Sequence, residues 1–417
     1  MRAADRPSGQ RRLLSARETA AALGVKPATL YAYVSRGLLA REDRPGHRGS
    51  WFDPGAVDRL ASRGRAASGQ SRRELRIESA VTSIEPRGHT YRGHDAGELA
   101  RTASFERVAE LLWTGTLPAS EPHWSVDAGQ VALGRAVART LPSRALPFDR
   151  IRLVTAALAS ADPFRHDLRP DAVASAARSL VVTLVEVLPA RRAASRRRHD
   201  AVSVAEHLWS RVTALPPAAA QVKLLDAALV LLADHELAGS TLAVRIAAAY
   251  RADPYGALGA GFGVLGGAWH GAASLASETL LAEVAAHDDP APVIERALRR
   301  SERLPGFGHP LYPDGDPRAA LLLRLLRRAA PRATRLHAVE ALLDAVRARR
   351  FPEPNVDLAI AALGHVLELP RGTGELIFAL ARIAGWIAHA LEEYERPSPL
   401  RLRAVYTGMR AGPDDGP

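Results

Sequence analysis

Residues 374–395 read GELIFALARIAGWIAHALEEYE. Leu376, Ile377, Phe378, Leu380, Ile383, Trp386 and Ile387 place apolar groups on nearly every face, which predicts a helix buried at the centre of a fold. Arg382 sits in the middle of that run. A guanidinium buried there without a partner is prohibitively costly, so it must meet an anion. A bound carboxylate would serve, and so would Glu375 or Asp357. The same spacing of three and four recurs in ELARTASFERVAELLWTG (98–115) and VKLLDAALVLLADHEL (222–237). Strand-like alternation is scarce, and the expected fold class is all-α.

The chain has 417 residues, long enough for two domains, and its hydrophobic content of 47% supplies a sizeable core. It has no cysteine, which excludes disulfides and thiol catalysis and fits a reducing interior. The start, MRAADRPSGQRR, has no apolar segment of the signal-peptide kind. Asp226, Asp234 and Arg382 interrupt the longest apolar runs, so the expectation is a soluble, cytoplasmic protein with no membrane partner. Charge is unevenly placed. Residues 1–76 hold 16 Arg/Lys against 7 Asp/Glu, whereas the rest hold 40 against 38. A basic head on a nearly neutral body points to a polyanion partner for the head alone.

In the head, Ser15 and Glu18 form an S-x-x-E box ahead of one short helix. Pro27 suits the first turn of the next, PATLYAYVSRG, which Gly37 stops. Leu38 to Trp51 is short, charged and punctuated by Gly and Pro, as a wing would be, and FDPGAVDRL begins a third helix. SRGRAASGQSRR (62–73) lacks apolar periodicity and reads as a linker. The expected division is a first domain at 1–62, a linker at 63–75 and a main module at 76–417. PARRAASRRRHD (189–200) reads as an exposed, solvated charge run.

Two histidines stand in glycine-rich settings, His270 in LGGAWHGAAS (265–274) and His309 in LPGFGHPLYPDGDPRA (304–319). PEPNVD follows, ending at Asp357. Glycines allow sharp turns and close approach of a ligand. Asp357 could take a proton and Arg318 could clamp a carboxylate. Two imidazoles, a base and an anion clamp are the parts needed to make and trap an enol. The expected chemistry is carbon–carbon bond formation on an acidic substrate. His270 precedes ASLASETLLAEVAAH, hence a helix N-terminus, whose dipole favours a neutral imidazole.

Six ordered segments resemble the citrate synthase family: 83–118, LLADHELAGST (231–241), the two histidine segments, PNVD, and the ending ARIAGWIAHALEE…RLRAVYTG. The resemblance implies an all-α fold with a large domain and a small one, the latter inserted at roughly residues 265–365. It implies condensation of acetyl-CoA with oxaloacetate, giving citrate and CoA, or the 2-methylcitrate version with propionyl-CoA. In this comparison Asp357 matches the catalytic base, His270 the donor to the thioester oxygen, and His309 the group that polarises the ketone. His235, Arg318, Arg382 and Arg401 match the oxaloacetate-binding set, with Arg401 reaching a partner subunit's site, so a homodimer is implied. No metal and no permanently bound cofactor are implied; the acyl-CoA is a co-substrate. The head resembles the winged helix-turn-helix of mercury-resistance-regulator and excisionase proteins. That implies DNA contacts by Lys26, Thr29, Tyr31 and Tyr33 on or near the recognition helix, and by Arg44, His47 and Arg48 on the wing. A regulator whose synthase module senses oxaloacetate or acyl-CoA is the alternative reading.

The chain also departs from the common bacterial pattern. Ala238 and Ser274 stand where asparagines are usual. His309-Pro310-Leu311-Tyr312-Pro313 replaces HRVYK, whose last residue meets a CoA phosphate in the family; Pro313 cannot.

Overall fold

A computed structural model describes residues 13–23, 25, 27–35, 38–42, 49–57, 76–85, 88–191, 203–216, 218–267, 272–300 and 303–401. It divides into two compact units, Met1–Glu78 and Ser79–Pro417. In the first, β1 (Leu14–Ser15) leads into α1 (Ala16–Leu23) and α2 (Pro27–Ser35), and β2 (Trp51–Phe52) returns antiparallel to β1, pairing Leu14 with Phe52. Glu42 bridges Trp51, and residues 54–57 are helical. The Ser15–Glu18 box forms as read: Ser15 N–H and Oγ donate to Glu18 Oε2 at 2.8 Å, and Glu18 N–H returns to Ser15 Oγ at 3.3 Å. A small core of Ala20, Leu30, Leu39, Phe52 and Val57 fastens the unit.

The second unit opens with a three-stranded antiparallel meander, β3 (Thr82–Glu85), β4 (Gly88–Tyr91) and β5 (His94–Asp95). The all-α expectation missed this sheet. Its strands are two to four residues long, too short for alternation to show, and its second turn is made by Arg92 and Gly93, both at positive φ. Helices follow in sequence: α3 (Ala96–Thr102), α4 (Phe105–Thr114), α5 (Ala128–Ala138), α6 (Pro147–Ala161), α7 (Pro170–Glu186), α8 (Val204–Val212), α9 (Ala219–Leu232), α10 (Gly239–Ala249) and α11 (Pro254–Leu265). Then come α12 (Ala272–Ala285), α13 (Ala291–Arg300), α14 (Pro317–Ala329), α15 (Leu336–Ala348), α16 (Val356–Val366) and α17 (Thr373–Glu395).

The predicted central helix is α17. It is long and apolar enough to cross a membrane by length and composition alone, yet its whole apolar window is buried inside this fold. Helices α4, α7, α9, α10, α11 and α12 all pack against it. Gly385 lets the end of α9 approach: its N–H donates to Ala233 O at 2.9 Å, and a Cβ there would collide with Ala233 O and Asp234 Oδ1. This close crossing puts Arg382, one turn earlier, beside the Asp234–His235 corner.

Candidate active site

Two chain segments meet through backbone hydrogen bonds. Gly308 N–H donates to Glu353 O at 2.8 Å, and Asn355 N–H to Gly306 O at 2.9 Å. Asn355 Nδ2 reaches Gly308 O at 3.0 Å while its Oδ1 accepts from Asp357 N–H, capping α16. Gly306 has φ +82°, and a Cβ on it would lie 2.8 Å from both Leu358 Cβ and Ser277 Oγ. Only glycine fits there, and that is how the His309 segment lies against the Asp357 helix.

Asp316 completes the joint. It caps α14, accepts from Val356 N–H at 3.0 Å, and takes two bonds from Arg318, Nε at 3.0 Å and Nη2 at 2.8 Å. Burial works against the charge of both, but each holds the other ionised: Asp316 is shifted down and Arg318 up. The guanidinium is aimed at His309, Nη2 to Nε2 3.4 Å, and lies over the Tyr312 ring at 5.7 Å.

His309 accepts from Leu311 N–H at Nδ1, 3.2 Å. Arg318 Nη2 can only donate to Nε2, so both nitrogens of the His309 ring face donors and the tautomer follows whichever contact is kept. Burial and then Arg318 lower its pKa to about 4, so it is neutral at pH 7. His235 stands perpendicular to it at 5.3 Å between ring centroids, and its Nε2 meets Tyr312 Oη at 3.0 Å. Burial, with Arg318 and Arg382 nearby, pushes the His235 pKa far down. Behind it lies His89, edge-on at 5.6 Å and lowered to about 3, chiefly by burial. Neutral imidazoles can donate to a developing oxyanion without first losing a proton to it.

Arg382 is 1% exposed. It donates from Nε to Leu232 O at 2.9 Å and lies over the Phe378 ring at 4.8 Å. No carboxylate among the described residues forms an ion pair with it, neither Glu375 nor Asp357. Burial pulls its pKa down, opposed by Asp234 and Asp357 at longer range. Its remaining donors are open to a ligand. Asp357 is half-buried and accepts from Ser274 Oγ at 2.6 Å. Burial raises its pKa above the usual carboxylate range, with Ser274 and Arg318 pulling the other way.

The structure thus brings together His235, His309, Arg318, Arg382 and Asp357. His270 lies outside the described residues, two positions before α12 begins. Arg401 is exposed and makes no hydrogen bond or ion pair among the described residues. Sequence reading missed His89, Tyr312, Asp316 and Ser274 as functional groups. The D-P-R string at 316–318 was the available signal for Asp316, since Asp followed by Pro starts helices. In the head, Lys26, Arg44, His47 and Arg48 lie outside the described residues; Thr29 and Tyr33 are half-buried, and Tyr31 is 45% exposed under the Arg41 guanidinium.

Residues 72–403 match the family model described as citrate synthase, C-terminal domain. The chain belongs to the citrate synthase family. Citrate synthase 2 of Bacillus subtilis is 30% identical over 79% of this chain and 93% of that protein. 2-Methylcitrate synthase 2 of Corynebacterium glutamicum is 31% identical over 79% of this chain and 92% of its own length. Among solved structures, citrate synthase from Thermotoga maritima superposes with a TM-score of 0.67 at 24% identity, covering 83% of this chain and 96% of that one. The Thermoplasma acidophilum citrate synthase complex with carboxymethyl coenzyme A and oxaloacetate superposes at 0.66 and 22% identity, covering 83% and 97%. As a family member, this chain is a condensing acyltransferase.

Proposed function

We propose that this citrate synthase family member condenses acetyl-CoA with oxaloacetate and hydrolyses the product thioester to citrate and CoA. Asp357 removes a proton from the thioester methyl group, while His270 donates to the thioester oxygen as the enol forms. The enol carbon attacks the oxaloacetate ketone, and a proton from the His309 ring passes to the new alkoxide. Water then cleaves the thioester, so CoA leaves as a thiol. His235, Arg318 and Arg382 hold the oxaloacetate oxygens. The observation that carries this reading is the buried Arg382 with open donors, acting on half-buried Asp357 and on His235, whose ring packs against neutral His309. Thiol release from acetyl-CoA and from propionyl-CoA, each with oxaloacetate, tests it; silence with both overturns it. Propionyl-CoA is the second candidate because 2-methylcitrate and citrate synthases match at equal identity. One methylene is worth only ~1–3 kcal/mol in a pocket, so the ratio of rates decides.

The working unit in this reading is a homodimer, with Arg401 completing the partner's site. Exposed Leu153, Ile246, Tyr250 and Val264 lie on or just after α6, α10 and α11, three helices that pack together, which supports a covered face. Mixing Arg401→Ala with Asp357→Asn subunits should then restore part of the activity that each lacks alone; no recovery despite subunit exchange would place Arg401 elsewhere.

The head is read as a winged helix-turn-helix that binds DNA. Its excess of 16 basic over 7 acidic residues supports this. Duplex binding by the full chain should fall steeply as salt rises, and the 71–417 fragment should keep its thiol release. Absent or salt-insensitive binding overturns the DNA reading.

A further inference from the structure

A second basic site lies away from the histidines. A cavity of about 310 Å³ opens between the start of α6, the end of α7, the end of α8 and the N-terminus of α17. Five arginines line it, Arg144, Arg150, Arg191, Arg211 and Arg371, and no Asp or Glu does among the described residues. Such a lining is unusual in this unit, where acidic and basic residues nearly balance. Elsewhere in it arginines find carboxylates, as Arg178 does on Glu110, Arg327 on Glu340 and Arg245 on Glu393.

The five differ in what already satisfies them. Arg144, Arg191 and Arg371 are exposed and make no hydrogen bond or ion pair among the described residues. Arg150 spends one bond on Ala138 O at 3.0 Å. Arg211 is 8% exposed and pairs with Glu186 at 2.5 Å, which also meets His207 and Arg135. Its Nη1 reaches Leu188 O at 3.4 Å, and its Nε is buried with no hydrogen-bond partner. Bringing like charges around one opening costs energy unless a counter-charge enters, and a lone monoanion does not use five forks. A ligand with two adjacent phosphates carries three or more charges and six or more acceptor oxygens, and the volume accepts it.

We infer that this cavity is a binding site for a ligand bearing adjacent phosphates, separate from the carboxylate clamp at Arg318 and Arg382. Its floor is Pro370–Leu376, where the helix carrying Arg382 begins. On the other side, Gly372 N–H and Gly374 N–H donate to Glu278 at 2.9 and 3.0 Å. Glu278 is one turn along α12 from Ser274, the partner of Asp357. Occupancy would therefore tighten or shift the helix start that the catalytic groups share, and binding would alter turnover without competing with acyl-CoA.

Calorimetric titration of the full-length protein tests this, using inorganic pyrophosphate and ADP, in saturating CoA and oxaloacetate. Sulfate at matched ionic strength separates site binding from general screening. The expected result is saturable pyrophosphate or ADP binding that sulfate does not reproduce. It should weaken at least ~10-fold in an Arg144→Ser/Arg371→Ser variant, whose exposed positions leave the core intact. That variant should keep its acetyl-CoA KM, and it serves as the folding control for the fully buried contacts. Binding by pyrophosphate alone marks a diphosphate site, and stronger binding by ADP marks a nucleotide site; either supports the proposal. No saturable binding at millimolar ligand, equal binding of sulfate, or unchanged binding in the variant would overturn it. The readout is direct, so failure of the proposed condensation would not imitate failure here.

Discussion

Asp234 and His235 are neighbours in the chain and serve opposite kinds of polar site. Asp234 turns into a buried ionic web: its Oδ2 accepts from Thr82 Oγ1 at 2.6 Å, Glu236 N–H at 3.0 Å and His389 Nε2 at 3.3 Å. His389 Nδ1 in turn faces Arg245, which pairs with Glu392 at 2.6 Å and Glu393 at 2.5 Å. In that web the protein answers its own charges. His235 turns the other way, toward His309, Arg318 and Arg382, where buried donors outnumber protein acceptors. The web is a fastening between α10 and α17; at the other site the proposed oxaloacetate carboxylates would answer the donors. Pairing with carboxylates separates them: Arg245 has two such partners and Arg382 has none among the described residues.

Removing the base should have the largest effect. Asp357→Asn keeps shape and the Ser274 contact, and kcat should fall by ~10²–10⁴ while the protein melts as before. Unaltered thiol release would remove Asp357 from the chemistry.

Two arginine substitutions test the comparison directly. Arg245→Met leaves Glu393 buried without its cation, so stability should drop by ~3–5 kcal/mol in urea unfolding. Arg382→Met removes a guanidinium with no carboxylate partner, so stability should hold or rise while the oxaloacetate KM climbs ~10²-fold. Equal stability losses in the two would mean that the site is as closed as the web.

A smaller effect sharpens the account of Asp357. Its ionised form does the work, so activity rises with pH through its raised pKa. Ser274→Ala deletes a hydrogen bond that lowers that pKa, and the acid limb of kcat should move to higher pH. A limb that stays in place would assign it to another group.

The least effect is on stability alone. Asp226 accepts from Phe105 N–H at 2.9 Å, and burial, then Glu106, raise its pKa to about 8. The folded state holds that proton more tightly than the unfolded one, so the contribution to stability is lost as pH rises from about 4 through 8. Asp226→Asn should flatten that slope; an unchanged slope between about pH 4 and 8 would locate the proton elsewhere.

The central helix was legible because burial on all faces requires apolar residues on all faces, and 374–395 has little else. The capping box and Pro27 were legible because helix starts are local chemistry. Arg382 could be singled out in the same way, as a charge in a run that cannot solvate it. The meander at 82–95 was not, since two-residue strands leave no period to read. Sequence also named Arg318 without showing that Asp316 already holds one edge of it.

What sequence by itself determined, then, was which helices are buried and which residues are candidates for the chemistry, since both are read from residue type at a given spacing. Only the tertiary structure decided which charges are answered by protein. Asp234 and Arg382 look alike in sequence, each an ion inside an apolar run. Whether either finds a polar partner depends on residues some 150 positions away, where Asp234 meets His389 and Arg382, with no ion pair among the described residues, meets the Leu232 carbonyl. Pairing energy falls off over a few ångströms, and distances of that kind are fixed by packing, not by order along the chain.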